Sequence, residues 1–153
     1  MTLSEFLDSE LILLKTKSSS KDDLISELVE QIFATGRELP LSRENILKTI
    51  NMRELIGGTM LPSGLSVPHA RLKGYEGFIL ALGVPGEPLL YSGIEVRMMA
   101  LMISSQSGAP WYLPTLAALT KLSRDTEYFT RLCQAETGTA FIDIIRERDQ
   151  ELA

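Results

Sequence analysis

The chain has 153 residues, 44% of them apolar and 23% charged, with a net charge of −5. That is the make-up of an ordinary globular domain long enough to bury a core, and it argues against a disordered segment. The acidic balance and the absence of basic runs count against a nucleic-acid partner, and a single cysteine, Cys133, excludes an internal disulfide or a thiolate metal cluster.

The opening, MTLSEFLDSE, has neither the basic start nor the apolar core of a signal peptide. The longest apolar stretch, Phe78 to Val84, is far too short to span a bilayer. These features predict a cytoplasmic protein without direct membrane insertion.

Leu11 to Leu14 reads as a first buried strand. Ser20 is placed to cap a helix, with Asp22 and Asp23 favouring its positive end. Leu24, Ile25, Leu28, Val29, Ile32 and Phe33 recur at helical spacing up to a stop at Gly36. A second helix is predicted from Ser42, carrying Ile46, Leu47, Ile50 and Leu55 inward and Arg53 near its end. A glycine-rich loop, Gly57 to Gly64, follows.

Leu65 to Val67 reads as a short strand ending at Pro68, which lacks an N–H for a central ladder. Phe78 to Val84 and Val96 to Ser104 are apolar on both faces, as strands covered by helices on each side are. Pro85 to Pro88 is a turn. Beyond Pro110 the spacing is helical again. Leu113, Leu116, Ala117 and Leu119 share one face, Thr126 can cap a short helix to Cys133, and Thr137 or Thr139 the last one. The expected fold is a three-layer α/β/α single domain, with a mixed sheet and helices on both faces.

The chemistry concentrates between Arg53 and Arg71, RELIGGTMLPSGLSVPHAR, which holds the only histidine, His69. Imidazole has a near-neutral pKa and can attack phosphorus to give a phosphoramidate. Such transfer needs cationic or N–H partners for the phosphoryl oxygens. Arg53, sixteen positions earlier, can act as a bidentate fork, and backbone N–H groups after His69 can add donors. The residues alone leave open a loop histidine without a role. They also leave open a glycine loop that serves only positive φ angles. That loop is neither a P-loop nor a dinucleotide fingerprint, no metal-ligand set stands out, and no cofactor is implied. Trp111 and Tyr112 can be packing aromatics or can overhang the site.

Arg53-Glu54, Gly58-Thr59, Gly64 and Pro68-His69-Ala70 together resemble the enzyme IIA domains of the fructose/mannitol class of the bacterial phosphotransferase system. That class includes the nitrogen-regulatory paralogue. The opening LSEFLDSELILLK and the segment LTKLSRDTEYFTRL extend the resemblance over most of the chain, which implies a single domain of this type over residues 1–153. It implies that His69 is phosphorylated and that Arg53 stabilises the charge, with Thr59, Ser66 and Tyr112 as further phosphoryl-site candidates.

The implied donor is the histidine-containing phosphocarrier protein, charged from phosphoenolpyruvate through enzyme I. The implied acceptor is a cysteine of enzyme IIB, for sugar uptake, or a regulated target protein. Tyr112 stands where many members carry a second active-site histidine, and Met60-Leu61-Pro62 replaces glycine and isoleucine in the loop. These departures keep a second reading in view, a partner-binding module that has lost phosphoryl turnover. A hydrolase using His69 as general base has no visible nucleophile.

Overall fold

The computed structural model describes residues 2–107 and 110–153. Two short 3-10 turns, Leu3–Phe6 and Ser9–Leu11, lead into strand β1, Ile12–Thr16. Helix α1, Lys21–Ala34, begins where expected, with the Ser20 hydroxyl accepting from the Asp23 N–H. Ser42 does the same for Asn45 at the start of α2, Arg43–Gly57. A side-chain oxygen at each start satisfies a donor that has no partner within the helix.

Strands β2 (Leu65–Ser66), β3 (His69–Leu72), β4 (Phe78–Pro85) and β7 (Met98–Ser105) join β1 in one sheet, ordered β1-β4-β7-β2, with β3 beside β7. The sheet is mixed. β1 is parallel to β4, β4 antiparallel to β7, and β7 parallel to both β2 and β3. The remaining strands, β5 (Leu89–Tyr91) and β6 (Ile94–Val96), form a hairpin turned by Ser92 and Gly93, both at positive φ.

The two central strands explain the layers. Along β4, Ile79 and Ala81 face the cluster built by α1 and α2, while Leu80, Leu82 and Val84 face the other side. Along β7, Met99, Leu101 and Ile103 alternate in the same way with Met98, Ala100 and Met102. Successive strand side chains point to opposite faces, so strands apolar at every position must be covered twice. The second cover is α3 (Tyr112–Arg124), α4 (Thr126–Cys133) and α5 (Gly138–Arg146), with a final turn α6, Asp149–Leu152. The three-layer arrangement is the one expected.

Gly83 lets α1 approach closely, since a Cβ there would stand 2.9 Å from a Leu24 methyl. No helix among the described residues is long and apolar enough to cross a membrane.

Five local expectations are corrected. Leu55 does not face inward but is 87% exposed, and Leu113 is 70% exposed while Thr115, Ala118, Leu119 and Leu122 form the buried face of α3. Asp125, not Thr126, caps α4 by accepting from Tyr128 N–H. The expected single strand over 96–104 breaks at Arg97, whose N–H turns away to the Gly64 carbonyl. Most important for function, the chain does not leave the sheet at Pro68. The Pro68 carbonyl accepts from Met102 N–H, and a further strand begins at His69.

Candidate functional site

The loop between α2 and β2 is tied down by backbone. Leu61 N–H donates to the Leu65 carbonyl, Val67 N–H to Thr59, and Arg97 N–H to Gly64. Gly64 turns the chain at φ +96°, where a Cβ would stand 2.6 Å from the Glu95 carbonyl oxygen. Only glycine fits there. The loop fixes where β2 starts, and so where His69 falls four residues later.

On β3, Ala70 and Leu72 point into the core under α1 and α2. By the period of two, His69 and Arg71 point to the other face, towards α3. There the His69 ring is 5% exposed and lies against Tyr112, with centroids 4.1 Å apart and planes 11° from parallel. His69 Nε2 is 2.8 Å from Ser104 Oγ on β7, the neighbouring strand. Ser104 Oγ also donates to the Ser105 carbonyl.

His69, Ala70 and Arg71 line a cavity of about 340 Å³ together with Thr49 and Arg53 of α2. Ile46 and Ile50 bury the inner face of that helix against the sheet, and the next turn carries Arg53 into solvent beside His69. Glu54 turns the opposite way, with an oxygen 2.5 Å from Lys21 Nζ in a nearly buried ion pair. That oxygen lacks hydrogen-bond geometry despite the distance, so the contact is ionic rather than directed.

Burial, then the charge of Arg71 and that of Arg53, lower the His69 pKa from 6.5 to about 4. The imidazole is therefore neutral across the physiological range, with one ring nitrogen unprotonated. A neutral imidazole beside two guanidinium groups, at the mouth of a small polar cavity, suits attack on an anionic electrophile.

Of the residues singled out in the sequence, His69, Arg53 and Tyr112 come together. Thr59 and Ser66 do not line the cavity. The Thr59 carbonyl holds Val67, and the Ser66 hydroxyl is fully buried without a hydrogen-bond partner among the described residues. The strand end expected before His69 is also corrected, since His69 opens β3 and the backbone N–H groups after it belong to that strand. Arg71, Ser104 and Thr49 were missed. Arg71 carried a signal, since a residue two places on from His69 shares its face in a strand. Ser104 carried none, because register between distant strands is not written in either one. Cys133, half-buried at the end of α4, has its thiol pushed up to about 11 by burial, which makes it a poor nucleophile. Among the described residues no group of three or more His, Cys, Asp or Glu is placed to hold a metal ion.

The sequence model of the family described as "Phosphoenolpyruvate-dependent sugar phosphotransferase system, EIIA 2" matches residues 5–148. The chain belongs to this family. It is similar to the PTS system 2-O-alpha-mannosyl-D-glycerate-specific EIIABC component of Escherichia coli (strain K12), at 25% identity over 97% of this chain and 23% of that protein. The chain thus spans about a quarter of the length of that relative.

Among solved structures, the Nitrogen Regulatory Protein IIA-Ntr from Neisseria meningitidis superposes with a TM-score of 0.75 at 21% identity, over 94% of this chain and 98% of the other. The enzyme IIAMTL chain of an Escherichia coli complex with phosphorylated enzyme IIBMTL superposes with a TM-score of 0.70 at 18% identity, over 93% and 98%. At these identities the structural likeness establishes the fold, a phosphotransferase-system IIA domain.

Proposed function

We propose that this chain is a phosphoryl carrier and that His69 takes the phosphoryl group. The observation that supports this reading most is the setting of His69, a neutral imidazole at a cavity edge flanked by Arg53 and Arg71. The donor is a histidine-containing phosphocarrier protein charged from phosphoenolpyruvate through enzyme I. A ring-nitrogen lone pair of His69 attacks phosphorus, the donor's P–N bond breaks, and its electron pair returns to the donor imidazole. Arg53 neutralises the phosphoryl oxygens during transfer. The acceptor is a cysteine of an enzyme IIB, or the phosphorylated and free forms differ in their hold on a regulated target. The domain works in the cytoplasm, where those partners and phosphoenolpyruvate are found.

The test is to incubate the protein with phosphoenolpyruvate, enzyme I and the phosphocarrier protein and weigh the intact product. One phosphoryl on the wild type and none on His69→Ala supports the carrier. No adduct, from a donor mixture that charges another IIA domain, favours the second reading, a partner-binding module. The observation behind that reading is Tyr112, an aromatic ring that lies flat on His69 and covers one of its faces.

A further inference from the structure

The His69 site holds a second cation besides Arg53. Arg71 stands two residues along β3, on the face His69 occupies, and lines the same cavity as Arg53. Its guanidinium carbon is 5.4 Å from the centre of the Tyr112 ring, the ring that lies on His69. Imidazole, phenol and guanidinium are thus associated through one aromatic ring, which restrains a long side chain otherwise free in water.

The backbone adds to this. Among the described residues β3 pairs with β7 and with no other strand. Because the Pro68 carbonyl accepts from Met102, the parallel ladder runs through the amide and carbonyl of Ala70. The N–H groups of His69 and Arg71 therefore point to the open edge of the sheet, where α2 brings Arg53. An anion at that edge meets a guanidinium from the helix, another from the strand, and strand N–H donors between them.

We propose that Arg71 is a second phosphoryl-binding residue of this site, gripping the transferring group from the strand edge while Arg53 grips it from the helix. This rests on the carrier reading above. It gives Arg71 the task of holding the phosphoryl oxygens on the side where the Tyr112 ring covers His69. Arg71 is the larger of the two charge contributions that keep the His69 ring neutral, as a neighbour facing the ring should be. During transfer the new P–N bond to His69 forms as the donor's P–N bond breaks, and three equatorial oxygens pass between two guanidinium forks.

The test compares Arg71→Gln and Arg71→Lys with wild type and with Arg146→Gln, a surface control on α5. The first readout is the His69 ring resonance during titration with inorganic phosphate. The second is the rate of charging by the phosphocarrier protein. Wild type and the control should shift with phosphate, Arg71→Gln should not, and Arg71→Lys should respond weakly. Charging of Arg71→Gln should slow by about tenfold or more, since two charge-assisted hydrogen bonds are lost. Its melting temperature should not move. A phosphate response or a charging rate in Arg71→Gln equal to wild type overturns the proposal. If the wild type is not charged at all, the carrier reading fails, and the phosphate titration still decides the role of Arg71.

Discussion

The imidazole of His69 and the phenol ring of Tyr112 lie face to face, 4.1 Å apart and within 11° of parallel. One face of the imidazole is thereby covered and Ser104 holds its Nε2. The ring cannot swing freely, so in the proposed carrier role its approach to phosphorus is set before a donor arrives. This pre-positioning is a familiar source of rate, since orientation is settled in the folded protein rather than at the moment of reaction.

Tyr112 should therefore act through its ring. Tyr112→Phe keeps the stack and should charge at nearly the wild-type rate. Tyr112→Ala gives up a stacked pair worth about 1 kcal/mol, or about fivefold in rate. If an imidazole at this position serves the proposed onward transfer, Tyr112→His should speed transfer to a cognate IIB. Rapid-quench charging kinetics on the three variants check this, and a Phe variant as slow as the Ala variant would assign the role to the hydroxyl instead.

Stability should depend on pH through His69. The groups facing it are Arg53 from α2, Arg71 on its own strand, Ser104 from β7 and Tyr112 from α3, and none is acidic. Unfolded, the ring takes a proton near pH 6.5; folded, only near 4. Between those values the unfolded chain binds the extra proton, so stability falls as pH drops through the window and is unaffected above it. The loss totals at most about 3 kcal/mol. Urea unfolding from pH 7.5 to 4 should show it in wild type and not in His69→Gln. An NMR titration placing the ring near 6.5 would contradict it.

Arg53→Lys keeps the charge but loses the planar fork. Charging should slow by about tenfold, more than a like-charge exchange suggests. Steady-state rates with the phosphocarrier protein decide this, and unchanged rates would remove Arg53 from the mechanism.

Lys21 and Glu54 form an ion pair with side chains only 5% and 10% exposed. Lys21→Ala leaves a carboxylate buried without its partner and should cost about 3–5 kcal/mol. Replacing both with apolar side chains, Lys21→Met with Glu54→Leu, should recover most of that loss. Denaturant midpoints of the three proteins measure it; equal midpoints for wild type and Lys21→Ala would show that the pair contributes nothing.

Much of this fold was legible because local rules and tertiary demands agree. Ser20 and Ser42 were recognisable as caps, and the doubly apolar runs 78–84 and 96–104 announced a sheet covered on both sides. Leu55 and Leu113 misled because periodicity records where apolar residues fall and not which ones meet a neighbour. Asp125 and Thr126 are both good caps, and only the chain direction chooses between them. Pro68 looked like an end because it has no N–H, but a parallel ladder there needs only its carbonyl. That single misreading moved His69 from a loop to a strand and hid Arg71, its partner on the same face. The hairpin of β5 and β6 was too short to stand out.

The measurement that tests the central claim most directly is to charge the protein from phosphoenolpyruvate through enzyme I and the phosphocarrier protein and map the phosphate by tandem mass spectrometry under alkaline conditions. The account predicts one acid-labile phosphoryl on the peptide containing His69, absent from His69→Ala. A phosphoryl on any other residue, or none from a donor mixture shown to charge a second IIA domain, would contradict it.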